Sequence, residues 1–350
     1  MFYVAFLSFL PHGFLSALCV FSILANLVGN IENEGHPSSN LLRDEALRLG
    51  FEAVGFVTAA SSQSFERFQG WLERGCQAGM SYLADRSAAR KHPDSILPGV
   101  RSLVMLGVAW KKVREGSPSV DFSGLSPAPG EPYGTIASYA TGGDYHVWIR
   151  DRLKKLTALH RHLWPQGRAR GVVDTAPLFE REFAAAAGLG VFGKNTMLIH
   201  PELGSRFYLA ALLSTEDLSC ENLNSSTPAL PHPCGDCRAC MDVCPSGALI
   251  EPYQLDARRC LNYWTIEHRG TIPREIAVLL GDSLFGCERC IDVCPWNRRT
   301  SQEASCKVRL ASILEMDAEA FAERFGTTPL ARAGLEGLQR TARLLLTNDC

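Results

Sequence analysis

Apolar and polar positions alternate along most of this chain in patterns that predict both strands and helices. Continuous apolar runs predict buried strands at residues 53–59, 102–110 and 171–173. Amphipathic repeats predict helices at residues 41–50, 64–75, 144–162 and 178–187. Two further apolar runs lie near Met197 and Phe207. Strands and helices in alternation are typical of a layered α/β or α+β domain, which is the fold class we expect.

Turn residues and shifts in composition divide the chain into segments. A cluster of Pro, Gly and Ser at 115–134 predicts a long loop of the kind that often covers a binding site. The polar stretch 216–233 ends the mixed domain, and after Ser305 the sequence becomes rich in Ala, Leu, Arg and Glu. We therefore predict an apolar extension, a mixed α/β domain, a cysteine-rich domain and a small helical unit, at residues 1–39, 40–220, 221–304 and 305–350.

The first 31 residues contain no Asp, Glu, Lys or Arg, and the run 14–28 is almost continuously apolar. The length of this run permits a signal or a membrane span, but no flanking Lys or Arg sets an orientation, and Pro11 and His12 interrupt the first third of the uncharged segment 1–31. We favour a start codon placed too far upstream, because a globular pattern with an N-cap residue begins at Asn40. We accordingly expect a cytoplasmic protein without a membrane partner.

The composition narrows the classes of function that this chain can have. The chain has 350 residues, of which 46% are hydrophobic and 21% charged, so it is long and apolar enough to bury a full core. Its net charge of -2 excludes a global basic field for nucleic acid, so any such contact must be local. The stretch 150–170 carries seven basic residues and one acidic residue. It is either a phosphate-contacting face or an ordinary solvated helix surface, and 258–269 is a second candidate patch.

Cysteine spacing gives the most specific signal. Eight of the 13 cysteines lie within 234–294. The first four have the spacing C-x2-C-x2-C-x3-C-P, which is typical of bacterial ferredoxins, where the fourth cysteine binds the other cluster. A second run repeats this spacing but has Leu284 in its first position, and Cys260 lies between the runs to replace the missing ligand.

We therefore predict two 4Fe-4S clusters. The first is expected on Cys234, Cys237, Cys240 and Cys294, and the second on Cys244, Cys260, Cys287 and Cys290. Structural zinc sites are the alternative, but zinc requires neither the third cysteine of the run nor the Cys-Pro that ends it. Two neighbouring clusters would deliver electrons one at a time to an acceptor in the first domain.

Three features of the first domain are candidates for that acceptor site. Asp174 follows the strand 171–173, where it is either a ligand-facing carboxyl or the N-cap of the next helix. The G-x-G-x-x-G match at 188–193 follows a helix, so we interpret Gly188 as a helix C-cap whose turn brings Lys194 and Asn195 toward a ligand. His146 lies in an incomplete D-x-H-x-x-G pattern, and we interpret it as a helix-surface histidine.

Taken together, these motifs closely resemble the epoxyqueuosine reductase family. The resemblance rests on segments in family order, namely SYATGGDYH at 138–146, VDTAPLFERE at 173–182, GLGVFGKNT at 188–196, LDARRC at 255–260 and the two cysteine runs. It extends from about Asn40 to the C-terminus. Two features depart from the family pattern, the apolar extension and the pair Arg340-Thr341, where Arg-Asn is usual.

The resemblance implies a cobalamin-binding domain joined to a ferredoxin-like domain with two 4Fe-4S clusters. It implies an oxidoreductase that reduces epoxyqueuosine at the tRNA wobble position to queuosine, the last step of queuosine biosynthesis. By this analogy Asp174 is the proton donor, no protein histidine binds cobalt, and the cobalamin pocket is lined by Tyr139, Asp174, Lys194, Asn195 and Ser205. The implied partners are tRNA carrying epoxyqueuosine and an external low-potential electron donor, and we expect a monomer.

Two other functions fit part of these motifs. A cobalamin-dependent reductive dehalogenase also combines a cobalamin domain with two such clusters, but it typically carries a twin-arginine export signal. Residues 1–42 contain no arginine, which argues against this class of enzyme. A ferredoxin-like electron carrier would leave Asp174 and the segment 188–196 without a role. The sequence therefore favours the tRNA-modifying reductase.

Overall fold

The computed structural model describes residues 37–117, 120–218, 233–300 and 305–348. Residues 1–36 of the predicted extension lie outside the described residues. The expectation of an upstream start codon concerns this segment and therefore stays a prediction. Within the described ranges, no helix combines the length and the apolar character that crossing a membrane requires.

The elements follow the predicted pattern closely. The strands are β1 Ala53–Thr58, β2 Ser102–Ala109, β3 Tyr133–Ile136, β4 Ala169–Val172, β5 Val191–Phe192, β6 Leu198–Ile199, β7 Phe207–Ser214, β8 Leu249–Glu251, β9 Gln254–Leu255, β10 Ser283–Phe285 and β11 Cys306–Arg309. The α-helices are α1 Pro37–Arg48, α2 Phe65–Glu73, α3 Ser81–Asp85, α4 Trp110–Glu115, α5 Tyr145–Leu163, α6 Glu180–Ala186, α7 Ala239–Asp242, α8 Arg274–Ala277, α9 Arg289–Asp292, α10 Leu310–Glu315, α11 Ala318–Phe325 and α12 Gly334–Asn348. A π-helix occupies Tyr263–Glu267, and single 3-10 turns lie at Ala88–Arg90, Pro93–Ser95, Ser138–Ala140, Pro295–Arg299 and Pro329–Arg332.

The central sheet has the strand order β1-β2-β7-β4, and each neighbouring pair is antiparallel. The first domain is therefore a mixed α+β fold. Alternation of strands and helices along the chain does not fix strand direction, because a helix within a connection can return the chain to either end of the sheet. The rule that ligands bind at the carboxyl edge of parallel strands consequently does not apply to this sheet.

Helices cover both faces of this sheet. Along β2, Val104 and Leu106 pack into the core that contains Ile149 of α5, whereas Leu103 belongs to the opposite core with Phe183 of α6. Burial on both faces explains why β2 is apolar from Leu103 to Ala109 instead of alternating.

A second sheet joins three distant parts of the chain. Strand β3, at the end of the predicted loop 115–134, pairs in parallel with β10 and antiparallel with β11. The predicted helical C-terminal unit thus begins with a strand. One hydrophobic core runs from Leu42 to Leu345 through all three segments.

This junction makes a testable prediction about stability. A Cβ at Gly134 would lie 2.6 Å from Cβ of Leu284 and 2.9 Å from Cδ2 of Leu310. We expect Gly134→Ala to lower the free energy of unfolding by about 1–3 kcal/mol through overpacking. Thermal and denaturant unfolding followed by circular dichroism would measure this. Gly70→Ala, in helix α2 with only the Arg74 guanidinium nearby, is the matched control and should not destabilise. Equal stability of the two variants would contradict the packing argument.

Candidate functional site

Four cysteines from both runs line one small cavity of about 70 Å³, and they are Cys234, Cys237, Cys240 and Cys294. The short helices α7 and α9 hold equivalent positions in the two runs, so that Cys240 and Cys290 stand in the same register. Burial raises the pKa of the Cys240 thiol, and Cys234, Cys294 and Cys237 add to this effect. The cysteine from the second run therefore completes the group formed by the first.

The other four cysteines form a second group. Burial raises the pKa of Cys260 to about 11, and the nearby Cys287 and Cys244 contribute to the increase. Burial also raises the pKa of Cys290 well above its usual value, with Cys260, Cys287 and Cys244 as charged neighbours. The charge of Cys240, in the first group, also raises the pKa of Cys290. The two groups therefore adjoin at this pair.

The surroundings of these thiols suit iron–sulfur ligation. The backbone N–H of Lys194 donates to Sγ of Cys234 at 3.4 Å, and that of Ala248 donates to Sγ of Cys244 at 3.3 Å. Hydrogen bonds to the cysteine sulfurs are one means by which proteins set the reduction potential of an iron–sulfur cluster. Among the residues described, no three His, Cys, Asp or Glu side chains converge as the ligands of a single metal ion do. The thiols of the first group instead surround the small cavity, which is the arrangement that a multi-iron cluster needs.

Beside the first cysteine group lies an open cleft of about 480 Å³, within the usual size range of ligand sites. Ten of its lining residues are aromatic, among them Trp71, Trp110 and Phe179. Asp174, Glu180 and Arg181 supply ionisable groups to the same cleft. A large, mostly flat ligand with a few polar substituents fits such a lining.

Asp174 stands at the turn that follows β4. Its backbone has φ +55°, a left-handed conformation that is uncommon for a residue with a side chain. The Tyr145 hydroxyl donates to Oδ2 of Asp174 at 2.7 Å, and the side chain is 23% exposed. Burial raises the pKa of this carboxyl, against the opposing effects of Tyr145 and His146. The N-cap interpretation is wrong, because α6 begins six residues later and its N-cap is Phe179.

His146 is buried, with 1% of its side chain exposed, and the expectation of a helix-surface histidine is wrong. Asp144 caps helix α5 through the His146 N–H, and its Oδ1 lies 2.7 Å from Nδ1 of His146. Burial alone would raise the pKa of Asp144, but the bonds with His146 lower it. The helical stripe that contains Ile149, Leu153 and His160 includes His146, and this spacing signals its burial.

Sequence reasoning also missed Glu180 and its basic neighbours. Burial and the nearby Asp174 raise the pKa of Glu180 to about 7. The guanidinium of Arg181 donates to the Thr196 carbonyl, and that of Arg90 donates to the Leu178 carbonyl. Glu180 and Arg181 lie within the VDTAPLFERE segment, but no spacing rule marks them, because their role depends on the folding of the chain around the cleft.

The remaining predicted cofactor contacts do not line the cleft but lie against the cysteine segment. Nζ of Lys194 donates to the carbonyls of Gly235 and Cys237, and Nδ2 of Asn195 donates to that of Cys290. These two residues line the first cysteine cavity, in keeping with the turn that follows Gly188, which has φ +80°.

Tyr139 and Ser205 lie deeper. The Tyr139 hydroxyl donates to Oδ1 of Asn262, which also accepts the Cys287 N–H at 2.6 Å. Ser205 is 1% exposed and is bonded through its N–H and its hydroxyl to the side chain of Asn297. Both residues therefore hold the loops around the cysteines.

Part of the basic stretch 150–170 has a structural role. The guanidinium of Arg152 donates to the Leu49 carbonyl, and that of Arg170 donates to the Ile96 carbonyl. Arg168 donates to Pro98. Lys155 pairs with Asp151 on the exposed surface of α5 at 2.9 Å.

Comparison with known proteins agrees with this arrangement. Residues 90–175 match the family model described as epoxyqueuosine reductase QueG, DUF1730, and residues 233–297 match the 4Fe-4S double cluster binding domain. A solved epoxyqueuosine reductase with an epoxyqueuosine-modified tRNA-Tyr stem loop superposes with a TM-score of 0.77 at 28% identity, covering 88% of this chain and 80% of that one. An epoxyqueuosine reductase from Bacillus subtilis, with its catalytic aspartate loop swung out of the active site, superposes with a TM-score of 0.74 at 27% identity, covering 88% and 81%.

Sequence similarity extends over most of the chain. The epoxyqueuosine reductase of Pseudomonas aeruginosa is 35% identical over 318 residues, which cover 88% of this chain and 84% of that protein. This identity and coverage show that the chain belongs to the epoxyqueuosine reductase family.

Proposed function

We propose that this chain reduces epoxyqueuosine in tRNA to queuosine, with cobalamin in the aromatic cleft and a 4Fe-4S cluster on each cysteine group. One observation carries the proposal. Within a single turn, Lys194 and Asn195 line the first cysteine cavity while Thr196 and Met197 line the cleft that contains Asp174. A source of electrons and a source of protons therefore border the same ligand site.

The cleft suits a corrinoid with amide substituents. Its aromatic walls offer flat apolar surface, and two buried polar atoms, Oε1 of Glu180 and Nε of Arg90, have no hydrogen-bond partner among the described residues. Buried polar atoms without a partner are costly, so a ligand that bonds to them is favoured. Bound there, reduced cobalamin supplies a strongly nucleophilic and reducing cobalt.

The cysteine groups suit a short electron path. The first group borders the cleft through the turn at Lys194–Met197, and the second adjoins the first at Cys240 and Cys290. An external low-potential donor would supply the electrons one at a time. Lys194 and Asn195 hold the cysteine loops in register with the cleft by bonding to their carbonyls.

Asp174 suits the role of proton donor to the leaving oxygen. Loss of an epoxide oxygen as water consumes two electrons and two protons. A carboxyl whose pKa is raised by burial keeps its proton at a higher pH than an ordinary aspartate does. The Tyr145 hydroxyl, 2.7 Å from Oδ2, then stabilises the carboxylate that remains.

The related structure with a modified tRNA stem loop supports tRNA as the substrate of this chain. We propose that the chain acts as a monomer in the cytoplasm, where tRNA is modified. Local basic residues, such as Arg150 and Lys154, would contact phosphates in a salt-dependent manner, because the net charge of -2 gives no global attraction.

The deciding experiment uses the full chain, purified without oxygen and supplied with cobalamin and a chemical reductant. Nucleosides from tRNA that carries epoxyqueuosine are then analysed by mass spectrometry. Conversion to queuosine supports both the reaction and the substrate. No conversion by a chain loaded with both clusters and corrinoid would overturn the proposal and favour reduction of a small molecule.

We expect Asp174→Asn to keep iron and corrinoid but to lose about 100-fold or more in turnover, because an amide cannot donate the required proton. Asp151→Asn is the matched control, since its side chain is 55% exposed and pairs with Lys155 on the surface. Nucleoside mass spectrometry under single-turnover conditions measures both variants.

The pH dependence gives a second readout for Asp174. A proton donor is active below its pKa, so the wild-type rate falls as the pH rises through the raised pKa of this carboxyl. That part of the pH profile should vanish in Asp174→Asn. Wild-type turnover in this variant would contradict the proton-donor role.

The division of the cysteines is also testable. We expect Cys294→Ser to lose the same cluster as Cys234→Ser, whereas Cys287→Ser loses the other, because Cys294 lines the cavity of the first group. Iron content should fall from about eight toward four per chain. Electron paramagnetic resonance identifies which cluster signal disappears.

Cys306→Ser, on strand β11, is the control and should retain all iron. If Cys294→Ser removed the same signal as Cys287→Ser, the exchange of ligands between the runs would be refuted.

A further inference from the structure

The proposed substrate is one nucleotide within an RNA strand, so a surface beside the cleft must hold the strand while that nucleotide enters. Helix α2 forms one wall of the cleft. Five residues on one side of this helix line it, namely Ser64, Arg67, Phe68, Trp71 and Arg74. The acidic residues of the helix, Glu66 and Glu73, do not line the cleft, because helical periodicity places them on another side. The cleft side of α2 is therefore basic and aromatic.

We infer that Arg67 and Arg74 bind backbone phosphates of the tRNA anticodon loop on either side of the modified nucleotide. The inference rests on the proposed function and deepens it, because it names the surface of this chain that receives the RNA. Helix α2 is then the edge over which the strand passes into the cleft.

The charges of these two arginines are available to a ligand. Arg67 and Arg74 are both exposed, and within the described ranges neither guanidinium has a hydrogen-bond or ion-pair partner. Arg258, beside Gly75, differs because Nε and Nη2 of its guanidinium donate to the Asp256 carboxylate. A guanidinium without a partner offers all its donors to a phosphate and loses no existing ion pair when it binds.

Helix α2 holds the two arginines in fixed positions. Just before the helix, the Glu182 carboxylate accepts from the Ser62 hydroxyl and from the Gln63 N–H, each at 2.8 Å. Near its end, Nε1 of Trp71 donates to the Leu255 carbonyl at 2.6 Å. None of the nine residues of α2 is buried, so the anchored helix keeps an open side. Residues 67 and 74 are about 10 Å apart along its axis, on the same side. Such preorganisation lowers the cost of binding an extended strand.

Aromatic side chains between the two arginines favour RNA over other anions. The rings of Phe68 and Trp71 stack with centroids 6.0 Å apart and an interplanar angle of 20°. Cations interleaved with aromatic rings are typical of surfaces that bind single-stranded nucleic acid, because phosphates contact the cations while bases stack on the rings. An acidic protein would use the charges but not the rings. The phosphate in the nucleotide tail of cobalamin carries one negative charge, whereas a strand offers one to each arginine.

The test measures binding of a synthetic anticodon stem loop that carries epoxyqueuosine to the full, cofactor-loaded chain without reductant. Fluorescence anisotropy gives Kd between about 50 and 200 mM salt. We expect Arg67→Gln/Arg74→Gln to weaken binding about tenfold or more at low salt. The slope of the logarithm of affinity against the logarithm of salt concentration should become shallower by about 1.4, which is about 0.7 for each lost contact with a single strand. In turnover, KM for tRNA should rise about tenfold while kcat stays within about twofold.

Arg48→Gln/Arg101→Gln is the matched control. Both glutamine variants remove two positive charges, which changes the net charge from -2 by two, to -4. The side chains of Arg48 on α1 and Arg101 before β2 are 70% and 60% exposed, and neither lines the cleft. This control should keep the wild-type Kd and salt slope.

Arg67→Lys/Arg74→Lys separates charge from packing. Lysine keeps the positive charge but replaces the planar guanidinium, so the salt slope should stay at the wild-type value with Kd within about fivefold. A salt slope as shallow as that of Arg67→Gln/Arg74→Gln would contradict the phosphate contacts, because it would mean that the effect does not follow the charge.

Three results would overturn the inference. The first is wild-type affinity and salt slope in Arg67→Gln/Arg74→Gln. The second is loss of corrinoid from this variant at an unchanged salt slope, which would assign the arginines to the cobalamin phosphate. The third is slower reduction of the clusters by a reduced acidic ferredoxin with unchanged RNA binding, which would assign them to the electron donor.

The proposed function fails separately, because the stem loop is bound without turnover. Wild-type protein that binds the stem loop through Arg67 and Arg74 but converts no epoxyqueuosine would refute the proposed reaction and support the RNA-binding surface.

Discussion

The exchange of one cysteine between the two runs is the constraint on which the rest of this structure depends. Cys294 of the second run lines the cavity of the first group, and Cys244 of the first run neighbours the second group. Neither group is complete until residues 234–294 have folded as one unit. Strand β10, which leads into the second run, pairs with β3 of the first domain, so this unit is fixed to the central core.

Contacts between the first domain and the cysteine loops follow from this constraint. Asn262 accepts from both Tyr139 and the backbone of Cys287, and Asn297 bonds to Ser205 just after Cys294. Lys194 and Asn195 bond to carbonyls of the two runs. Each contact pairs a polar group of the first domain with one of the cysteine segment, and each fixes a cysteine loop at a set position beside the cleft. Residues that the family resemblance associates with cobalamin thus also build the joint between the halves.

The cleft itself combines features that are costly in isolation. A left-handed backbone at Asp174 and carboxyl groups with raised pKa values at Asp174 and Glu180 oppose stability. They are maintained by rigid surroundings, namely the stacked rings of Tyr145 and Tyr208 and the strands β2 and β7, each of which is buried at all but one position. Strain and desolvation concentrated at one place are typical of a site built for chemistry.

The sequence by itself determined what depends on neighbours along the chain. Periodicity located strands β1 and β2 and helices α2 and α5, and the spacing of the two runs singled out seven of the eight cysteines, because these signals are local. Only the tertiary structure decided which way the strands run, that β3 lies between β10 and β11, and that His146 points inward to Asp174. It also decided that Lys194 and Asn195 face the cysteines while Thr196 and Met197 face the cleft. These outcomes depend on contacts between residues far apart in sequence, whose free energies no local pattern encodes.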